Sequence, residues 1–334
     1  YELHQAFAQM VEAGCEYAVM EVSSQGIKMH RTDGLYFNYA IFTNISPDHI
    51  GPGEHADFEE YLYYKTRLLN MCGIGLVNKD DEHAPQIIKA ANCELYTYSE
   101  ESKEADFVAS DIRYVSQPDF VGTEFHISGK YDMEVRLGIP GLFNVVNALA
   151  AVSVCSFLGL DQARISHALE NIRVNGRMEI VYTSERCTVL VDYAHNAVSM
   201  ESLLSTLRDY KPKRLVCVFG CGGNRSKDRR YSMGEIGGKM ADLSIITADN
   251  SRYEKVEDII ADIRGSIEKT GGKFIEIPDR REAIRYSILH AQPGDMVAVI
   301  GKGHEDYQEI NGVRHHFLDR EVIEETVKEL GEKA

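Results

Sequence analysis

The sequence has no tryptophan, no cysteine pair in C-x-x-C spacing and no excess of basic residues. Its 52 acidic side chains outnumber 36 basic ones, and the formal net charge is −16. It therefore lacks the broad basic face that binding to a nucleic-acid backbone requires. Seven cysteines, an odd number, are typical of free thiols rather than of a disulfide framework. We expect no nucleic-acid partner and a cytoplasmic location.

Long hydrophobic runs are also missing. A membrane-spanning helix needs ~20 consecutive apolar residues, whereas the best candidate, residues 148–160, is shorter and contains two serines. No charged stretch followed by an apolar one opens the sequence, so we expect neither an export signal nor a membrane span. The 334 residues predict two domains, at roughly 150 residues per domain.

Three widespread catalytic motifs are absent from the sequence as well. There is no G-x-x-x-x-G-K-[ST] phosphate-binding loop and no serine in G-x-S-x-G. No set of histidines and cysteines has the spacing of a zinc site. Chemistry must therefore be sought in other polar segments.

Apolar periodicity in the first half predicts a mixture of helices and strands, an α/β composition. Residues 107–137 alternate in the way that antiparallel strands do, with turn residues before the last of them. The expected helices cover residues 3–11, 61–69, 144–158 and 161–171. The expected strands cover residues 17–22, 40–43, 75–78, 94–98, 107–115, 121–128 and 133–137.

Beyond Gly176, nearly all-apolar strands alternate with helices, which is typical of a Rossmann-like parallel sheet covered on both faces. We place the domain boundary here, giving domains 1–176 and 177–334. The expected strands cover residues 188–192, 215–219, 243–247, 274–277 and 296–300, and the expected helices 198–209, 231–240, 256–267 and 280–290. Open α/β sheets bind ligands at the carboxyl ends of their strands, so the polar turns after these strands are candidate sites.

Polar side chains follow two expected strands of the first half. Glu21 ends one strand, and Asn44, Asp48 and His49 follow the next. Parallel neighbours would bring Glu21 and His49 to one edge of the sheet, where they could hold Mg²⁺. Turn hydrogen bonds explain the same residues equally well, and spacing alone does not decide.

The turn GCGG at 220–223 follows a strand and precedes four cationic side chains within six residues. Glycines let a backbone approach an anion, and the following helix start offers free N–H groups. The last glycine of G-x-G-x-x-G is missing, so a dinucleotide site is weakly indicated. An anionic ligand is the preferred interpretation and a solvated loop the alternative.

Two further turns carry complementary charges. Asp249, Asn250 and Arg252 follow one strand, and GKGHE at 301–305, with Glu305, follows another. Together they could hold a zwitterion, with Arg252 forked onto its carboxylate and acids facing its ammonium. Taken singly, such patches are more often caps and turns.

Taken in order, eight segments resemble the Mur ligases, in particular those that add the third residue of the peptidoglycan stem peptide. The resemblance covers nearly the whole chain. The segments are VMEVSSQG (19–26), FTNISPDH (42–49), GLFNVVNALAA (141–151), GRMEIV (176–181), VDYAHN (191–196), VFGCGGNRSKDRR (218–230), TADNSR (247–252) and GKGHEDYQ (301–308).

The resemblance implies an incomplete central ATPase domain followed by a complete C-terminal domain, in a monomer. The family's first domain and P-loop are not matched, so we expect a truncated chain that is inactive alone. The implied reaction forms an amide: ATP and Mg²⁺ activate UDP-MurNAc-L-Ala-D-Glu as an acyl phosphate, which the amino group of meso-diaminopimelate attacks.

The resemblance also implies roles for individual residues. The metal and catalytic group is Glu21, His49 and Lys65, the last as a carbamate. The UDP-sugar-peptide contacts are Ser23 and Arg31, and the nucleotide contacts are Asn144, Asn147, Arg177 and Asp192. The amino-acid contacts are Arg225, Asp249, Asn250, Ser251, Arg252, Gly301 and Glu305.

The chain departs from the family pattern at three places. Met29 replaces a glutamine that contacts the sugar substrate, and residues 51–55 replace an acidic-aromatic-histidine stretch. Ser251 replaces the proline of the DNPR signature, while Arg252 is kept to hold a distal carboxylate, which lysine lacks. The sequence therefore favours meso-diaminopimelate. The alternatives are a lysine-adding or folylpolyglutamate-like ligase, and a non-catalytic binding protein without a P-loop.

Overall fold

A computed structural model describes residues 2–47, 49–51 and 53–331. Contacts within the chain divide it into two units, Tyr1–Asp106 and Phe107–Ala334. The predicted domain boundary at residue 176 lies inside the second unit and remains a prediction.

The first unit contains a parallel three-stranded sheet with β2 in the middle. Because β2 has neighbours on both sides, its residues Leu76 and Val77 are fully buried. Leu69 and Ile87, from the elements before and after β2, complete this core. The strands are β1 (Phe37–Phe42), β2 (Cys72–Asn78) and β3 (Glu94–Ser99), and the helices are α1 (Glu2–Glu12), α2 (Ser24–Lys28), α3 (Phe58–Thr66) and α4 (Ala84–Ala90), with a 3₁₀ turn at Arg67–Asn70.

The strand expected at residues 17–22 is not formed. This segment is irregular, Val19 is fully exposed and Tyr17 is 60% exposed. None of the described strands pairs with it, and an apolar run becomes a strand only where another strand accepts its backbone hydrogen bonds. The prediction of a buried strand ending at Glu21 was therefore wrong.

The second unit begins with an antiparallel sheet, as expected from the alternating pattern. Its strands are β4 (Phe107–Gln117), β5 (Phe120–Gly129) and β6 (Met133–Leu137), with β5 in the middle. Helices α5 (Leu142–Phe157) and α6 (Gln162–Asn171) follow.

The parallel sheet predicted after residue 176 is confirmed. It has the order β11-β10-β9-β12-β8-β7, with every pair parallel except β7 and β8. Every residue of β8 and β12 is buried, which explains their apolar runs at residues 189–191 and 296–300. The strands are β7 (Glu179–Thr183), β8 (Cys187–Asp192), β9 (Arg214–Phe219), β10 (Leu243–Ile246), β11 (Phe274–Glu276) and β12 (Asp295–Ile300), and the helices are α7 (Ala197–Asp209), α8 (Lys227–Met240), α9 (Val256–Thr270), α10 (Arg280–Leu289) and α11 (Asp319–Glu329).

Five features of the described residues were not anticipated: helices α2, α4 and α11, the edge strand β7 and a hairpin. The hairpin pairs β13 (Tyr307–Ile310) with β14 (Val313–His316). It directly follows the GKGHE turn, so it lies beside one of the candidate ligand segments.

Buried contacts join the antiparallel strands to the parallel-sheet region. Val121 of β5 and Ile139 belong to the same apolar cluster as Leu204 of α7. The Tyr210 hydroxyl lies 3.0 Å from Thr123 Oγ1 and accepts a 3.0 Å hydrogen bond from the Gly141 backbone N–H. These contacts explain why residues 107–171 belong to the second unit.

None of the helices within the described ranges combines the length and apolarity that crossing a membrane would require.

Candidate functional site

The turns that follow β10 and β12 meet at the carboxyl edge of the parallel sheet. The buried Asn250 amide joins them: its Nδ2 donates to Glu305 Oε2 at 3.0 Å. Its Oδ1 accepts from the Glu309 backbone N–H at 2.9 Å and from Lys302 Nζ at 3.2 Å. The structure thus assembles the two charged turns that the sequence singled out into one polar network.

Lys302 is a part of this site that the sequence analysis missed. Its side chain is fully buried, and its Nζ lies 3.2 Å from Glu305 Oε2 and 3.8 Å from Asp249 Oδ1. Gly301 and Gly303 on either side have positive φ angles of 111° and 54°, which turn the chain sharply around the lysine. The sequence signal that could have identified Lys302 is its position between two glycines directly after an apolar strand.

Arg252 is held in place by several groups. Its Nε donates to Glu309 Oε2 at 3.3 Å, and its Nη1 donates to the Gly223 carbonyl at 2.8 Å. The Gly223 N–H in turn donates to the Asn250 carbonyl at 2.8 Å. A Cβ at Gly223 would lie 1.9 Å from the Ser251 carbonyl oxygen. The close packing of the Gly223 backbone against Asn250 and Ser251 constrains the DNSR turn, although proline is absent from it.

The cations after the GCGG turn are only partly available to a ligand. Arg230 is buried and Lys227 is exposed, and both pair with Asp262, at 2.9 and 3.0 Å. Among the ion pairs of the described residues, none involves Arg225 or Arg229. Arg225 and Arg229 are therefore the cations of this segment that remain available to an anionic ligand.

A buried ion pair lies behind both ligand turns. Arg280 and Asp319 are fully buried and form a two-pronged pair, with Nε–Oδ1 and Nη2–Oδ2 distances of 2.7 Å. The same guanidinium donates to the carbonyls of Ala248 at 3.2 Å and Ile300 at 3.0 Å. These carbonyls directly precede the two turns, so one side chain fixes where both turns begin.

The carboxylate of Asp192, a predicted nucleotide contact, accepts hydrogen bonds from the backbone. Its two oxygens accept hydrogen bonds from the Met178 and Ala194 N–H groups, each at 2.7 Å. Burial raises the pKa of the Asp192 carboxyl, although these bonds and Arg177 oppose the rise. The Arg177 guanidinium lies 5.0 Å from the centre of the Tyr193 ring. The structure thus places Arg177 and Asp192 in one neighbourhood.

The other two predicted nucleotide contacts lie one turn apart at the start of α5. Asn144 Nδ2 donates to the Pro140 carbonyl at 2.7 Å, and Asn147 Nδ2 donates to Asn144 Oδ1 at 3.4 Å. No described hydrogen bond connects this pair to Arg177 or Asp192.

In the first unit, His49 and Lys65 share a neighbour. The His49 ring lies 5.9 Å from the Tyr61 ring, and Lys65 Nζ lies 5.8 Å from the same ring. His49 Nδ1 also lies 3.3 Å from Glu54 Oε1. Glu21 is exposed in the irregular segment before α2. The structure therefore places His49 and Lys65 beside the same ring, and no described contact joins Glu21 to either.

Metal binding by Glu21, His49 and carbamylated Lys65 stays a prediction. Across residues 2–47, 49–51 and 53–331, no group of three His, Cys, Asp or Glu side chains is arranged to hold a metal ion. Asp48, which the sequence placed beside His49, lies outside the described residues. The His, Cys, Asp and Glu side chains of the described residues therefore supply no metal site without a further ligand, such as the carbamate expected on Lys65.

The predicted contacts to the UDP-sugar peptide lie around α2. Ser23 is the N-cap of this helix, and its Oγ accepts a 3.0 Å hydrogen bond from the Gly26 N–H. Arg31 follows the helix and is exposed, as is Met29. Ser23 therefore has a structural role that any ligand contact would have to share.

Comparison with known proteins is consistent with this arrangement. Residues 1–155 match the Mur ligase middle domain, and residues 176–303 match the Mur ligase glutamate ligase domain. The UDP-N-acetylmuramoyl-L-alanyl-D-glutamate–2,6-diaminopimelate ligase of Caldanaerobacter subterraneus subsp. tengcongensis is 38% identical, over 98% of this chain and 67% of that protein. The ligase of the same name from Trichormus variabilis is 41% identical, over 96% of this chain and 65% of that protein.

A solved structure of a UDP-N-acetylmuramoyl-L-alanyl-D-glutamate–2,6-diaminopimelate ligase is 33% identical, with a TM-score of 0.78. The match covers 99% of this chain and 68% of that one. The chain thus spans about two thirds of the length of the relatives it matches. The likeness extends over nearly all of the chain in both sequence and fold. The chain belongs to the Mur ligase family.

Proposed function

We propose that the protein carrying this chain joins meso-diaminopimelate to UDP-MurNAc-L-Ala-D-Glu in an ATP-dependent reaction. The observation that carries the proposal is the network in which Asn250 joins Glu305 to the turn that bears Arg252. It supplies a guanidinium for a carboxylate and carboxylates for an ammonium within one site. The names of the curated relatives support the same reaction.

In this reaction the γ-phosphoryl group of ATP is transferred to the D-glutamate side-chain carboxylate, forming an acyl phosphate and ADP. The amino group of the acceptor then attacks the acyl carbon, loses a proton, and phosphate leaves. The residues of this network act on the acceptor. Glu305 Oε2 is already bonded to Asn250 and Lys302, which leaves Oε1 to accept from the acceptor's ammonium. Arg252, held from two sides, presents its remaining N–H groups to the distal carboxylate.

The remaining assignments stay predictions. Asn144, Asn147, Arg177 and Asp192 are the proposed nucleotide contacts, and Ser23 and Arg31 the proposed contacts to the sugar peptide. Magnesium is the expected partner of ATP, with Glu21, His49 and carbamylated Lys65 as its proposed ligands. The other proposed acceptor contacts are Arg225, Asp249, Ser251 and Gly301.

Phosphate release by the complete gene product that carries this chain tests the proposal. The assay contains ATP, Mg²⁺ and UDP-MurNAc-L-Ala-D-Glu, with meso-diaminopimelate or lysine in separate reactions. We expect release that depends on meso-diaminopimelate. Release with lysine alone would contradict the proposed acceptor, and no release with either from a folded protein would contradict the ligase.

A further inference from the structure

We propose that Lys302 determines which amino acid the pocket accepts, by setting the charge of the pocket from a fully buried position. This inference rests on the proposed function, because it concerns the acceptor of that reaction. Lys302 is buried behind the residues expected to touch the acceptor, so it acts through them as a positioning residue.

The contacts of Lys302 connect it to both ligand turns. Its Nζ donates to Asn250 Oδ1 and to Glu305 Oε2, each at 3.2 Å, and lies 3.8 Å from Asp249 Oδ1. The bond to Asn250 Oδ1 fixes the orientation of the amide, so that Nδ2 faces Glu305. The lysine thus orients one amide and one carboxylate and partly neutralises a second carboxylate.

The charges around Lys302 explain why it would affect selection. Asp249 and Glu305 both lie within 4 Å of its ammonium, while Arg252 and Glu309 pair with each other at 3.3 Å. Over these five groups the excess is one negative charge, and over the four that remain without Lys302 it is two. Burial strengthens such an effect, because charges a few ångströms apart are poorly screened away from water.

The two candidate acceptors respond differently to that excess. Meso-diaminopimelate has two ammonium and two carboxylate groups and no net charge, whereas lysine has one net positive charge. An additional negative charge in the pocket favours lysine and repels the distal carboxylate of diaminopimelate. Lys302 therefore shifts selection toward the acceptor with the additional carboxylate.

The test compares wild type with Lys302→Met, which keeps the side-chain length and removes the charge, and with Lys302→Arg, which keeps the charge. Lys269→Met, at an exposed lysine in the last turn of α9, is the matched control. Equilibrium binding of meso-diaminopimelate and of lysine is measured by calorimetry on the complete gene product, beside kcat/KM for each acceptor. Thermal unfolding of each variant reports whether it is folded.

We expect Lys302→Met to lower the preference for diaminopimelate over lysine about tenfold or more. Lys302→Arg restores the preference at least in part, and the control keeps it. A folded Lys302→Met protein with an unchanged ratio of affinities for diaminopimelate and lysine, even if both are weaker, would overturn the inference. Because binding is measured apart from turnover, a wild-type protein that binds the acceptors selectively but releases no phosphate would contradict the proposed reaction alone.

Discussion

The surroundings of the Glu100 carboxyl group disfavour its negative charge. Its Oε2 is buried and has no hydrogen-bond partner among the described residues. Burial, together with the nearby Asp80 and Glu101, raises its pKa to about 7. At neutral pH, ionisation of this group opposes folding.

Glu100→Gln is expected to stabilise the protein above pH 7 and to have little effect near pH 4. Because the folded-state pKa is raised, the folded protein binds more protons than the unfolded chain between about 4.5 and 7, and stability falls as pH rises through that range. The expected gain at pH 8 is about 1–2 kcal/mol after allowance for solvent screening. Urea unfolding at pH 4 and pH 8 measures it.

Glu104→Gln is the matched control, because Glu104 is a nearby acid whose side chain is 91% exposed. It should change stability by less than about 0.5 kcal/mol at either pH. A gain for Glu100→Gln that is the same at both pH values would contradict the assigned cause.

Residue-level expectations succeeded where a side chain's place follows from its strand. Asp249, Asn250 and Glu305 were expected at one sheet edge because each follows an apolar parallel strand, and the structure places them there. Lys302 was missed because lysines are ordinarily solvated, and burial of its ammonium depends on partners distant in sequence. The ligand roles of these residues stay predictions.

At the scale of elements, α10 and α11 hold the site from behind through Arg280 and Asp319. The neighbouring Arg281 of α10 also pairs with α11, through Glu325, but both of those side chains are about half exposed. Adjacent arginines of α10 therefore form one buried and one exposed ion pair with α11.

Arg280→Lys is expected to destabilise the protein by about 2–4 kcal/mol, because an ammonium cannot replace the two-pronged pair and both carbonyl contacts in a buried position. Arg281→Lys should cost less than about 0.5 kcal/mol, since exposed pairs contribute little. Chemical unfolding of both variants provides the measurement. Equal losses would show that the buried contacts are not what distinguishes the two arginines.

Element predictions failed where pairing, rather than composition, decides. The segment at residues 17–22 is apolar enough for a strand but has no described strand beside it. The edge strand β7 was missed although it pairs with β8, because a short edge strand has a weak pattern of its own. The parallel strands were found because burial on both faces leaves an unbroken apolar run.

At the scale of the whole molecule, the α/β fold and the family were predictable because the motifs occur in order along nearly the entire chain. The division of contacts at Asp106 was not. It depends on packing between residues far apart in sequence, such as Val121 and Leu204, and on the hydrogen bond from Gly141 to Tyr210.

The chain enters the parallel sheet through a close contact between two glycines. Gly176 has a φ of +67°, and a Cβ there would lie 2.2 Å from the His304 backbone nitrogen. A Cβ at Gly303 would lie 2.8 Å from the Gly176 carbonyl oxygen. The segment before β7 therefore packs directly against the GKGHE turn.

Gly176→Ala should destabilise the protein by about 2–4 kcal/mol, because both the backbone angle and the available space oppose a side chain. Gly265→Ala is the control: Gly265 lies within α9, and a Cβ there meets nothing within 4 Å. That change should stabilise by up to about 1 kcal/mol. Thermal unfolding compares the two, and a neutral Gly176→Ala would show that this contact yields easily.

The contact between Gly176 and Gly303 also limits how the protein can change over generations. A Cβ at Gly176 would meet the backbone of Gly303 and His304, and a Cβ at Gly303 would meet the Gly176 carbonyl oxygen. A side chain at either position therefore requires the other backbone segment to move. A single substitution at either position displaces the turn that carries Glu305. The segment before β7 and the acceptor turn can therefore change shape only together. Most single substitutions at these two positions are not a route to a new acceptor.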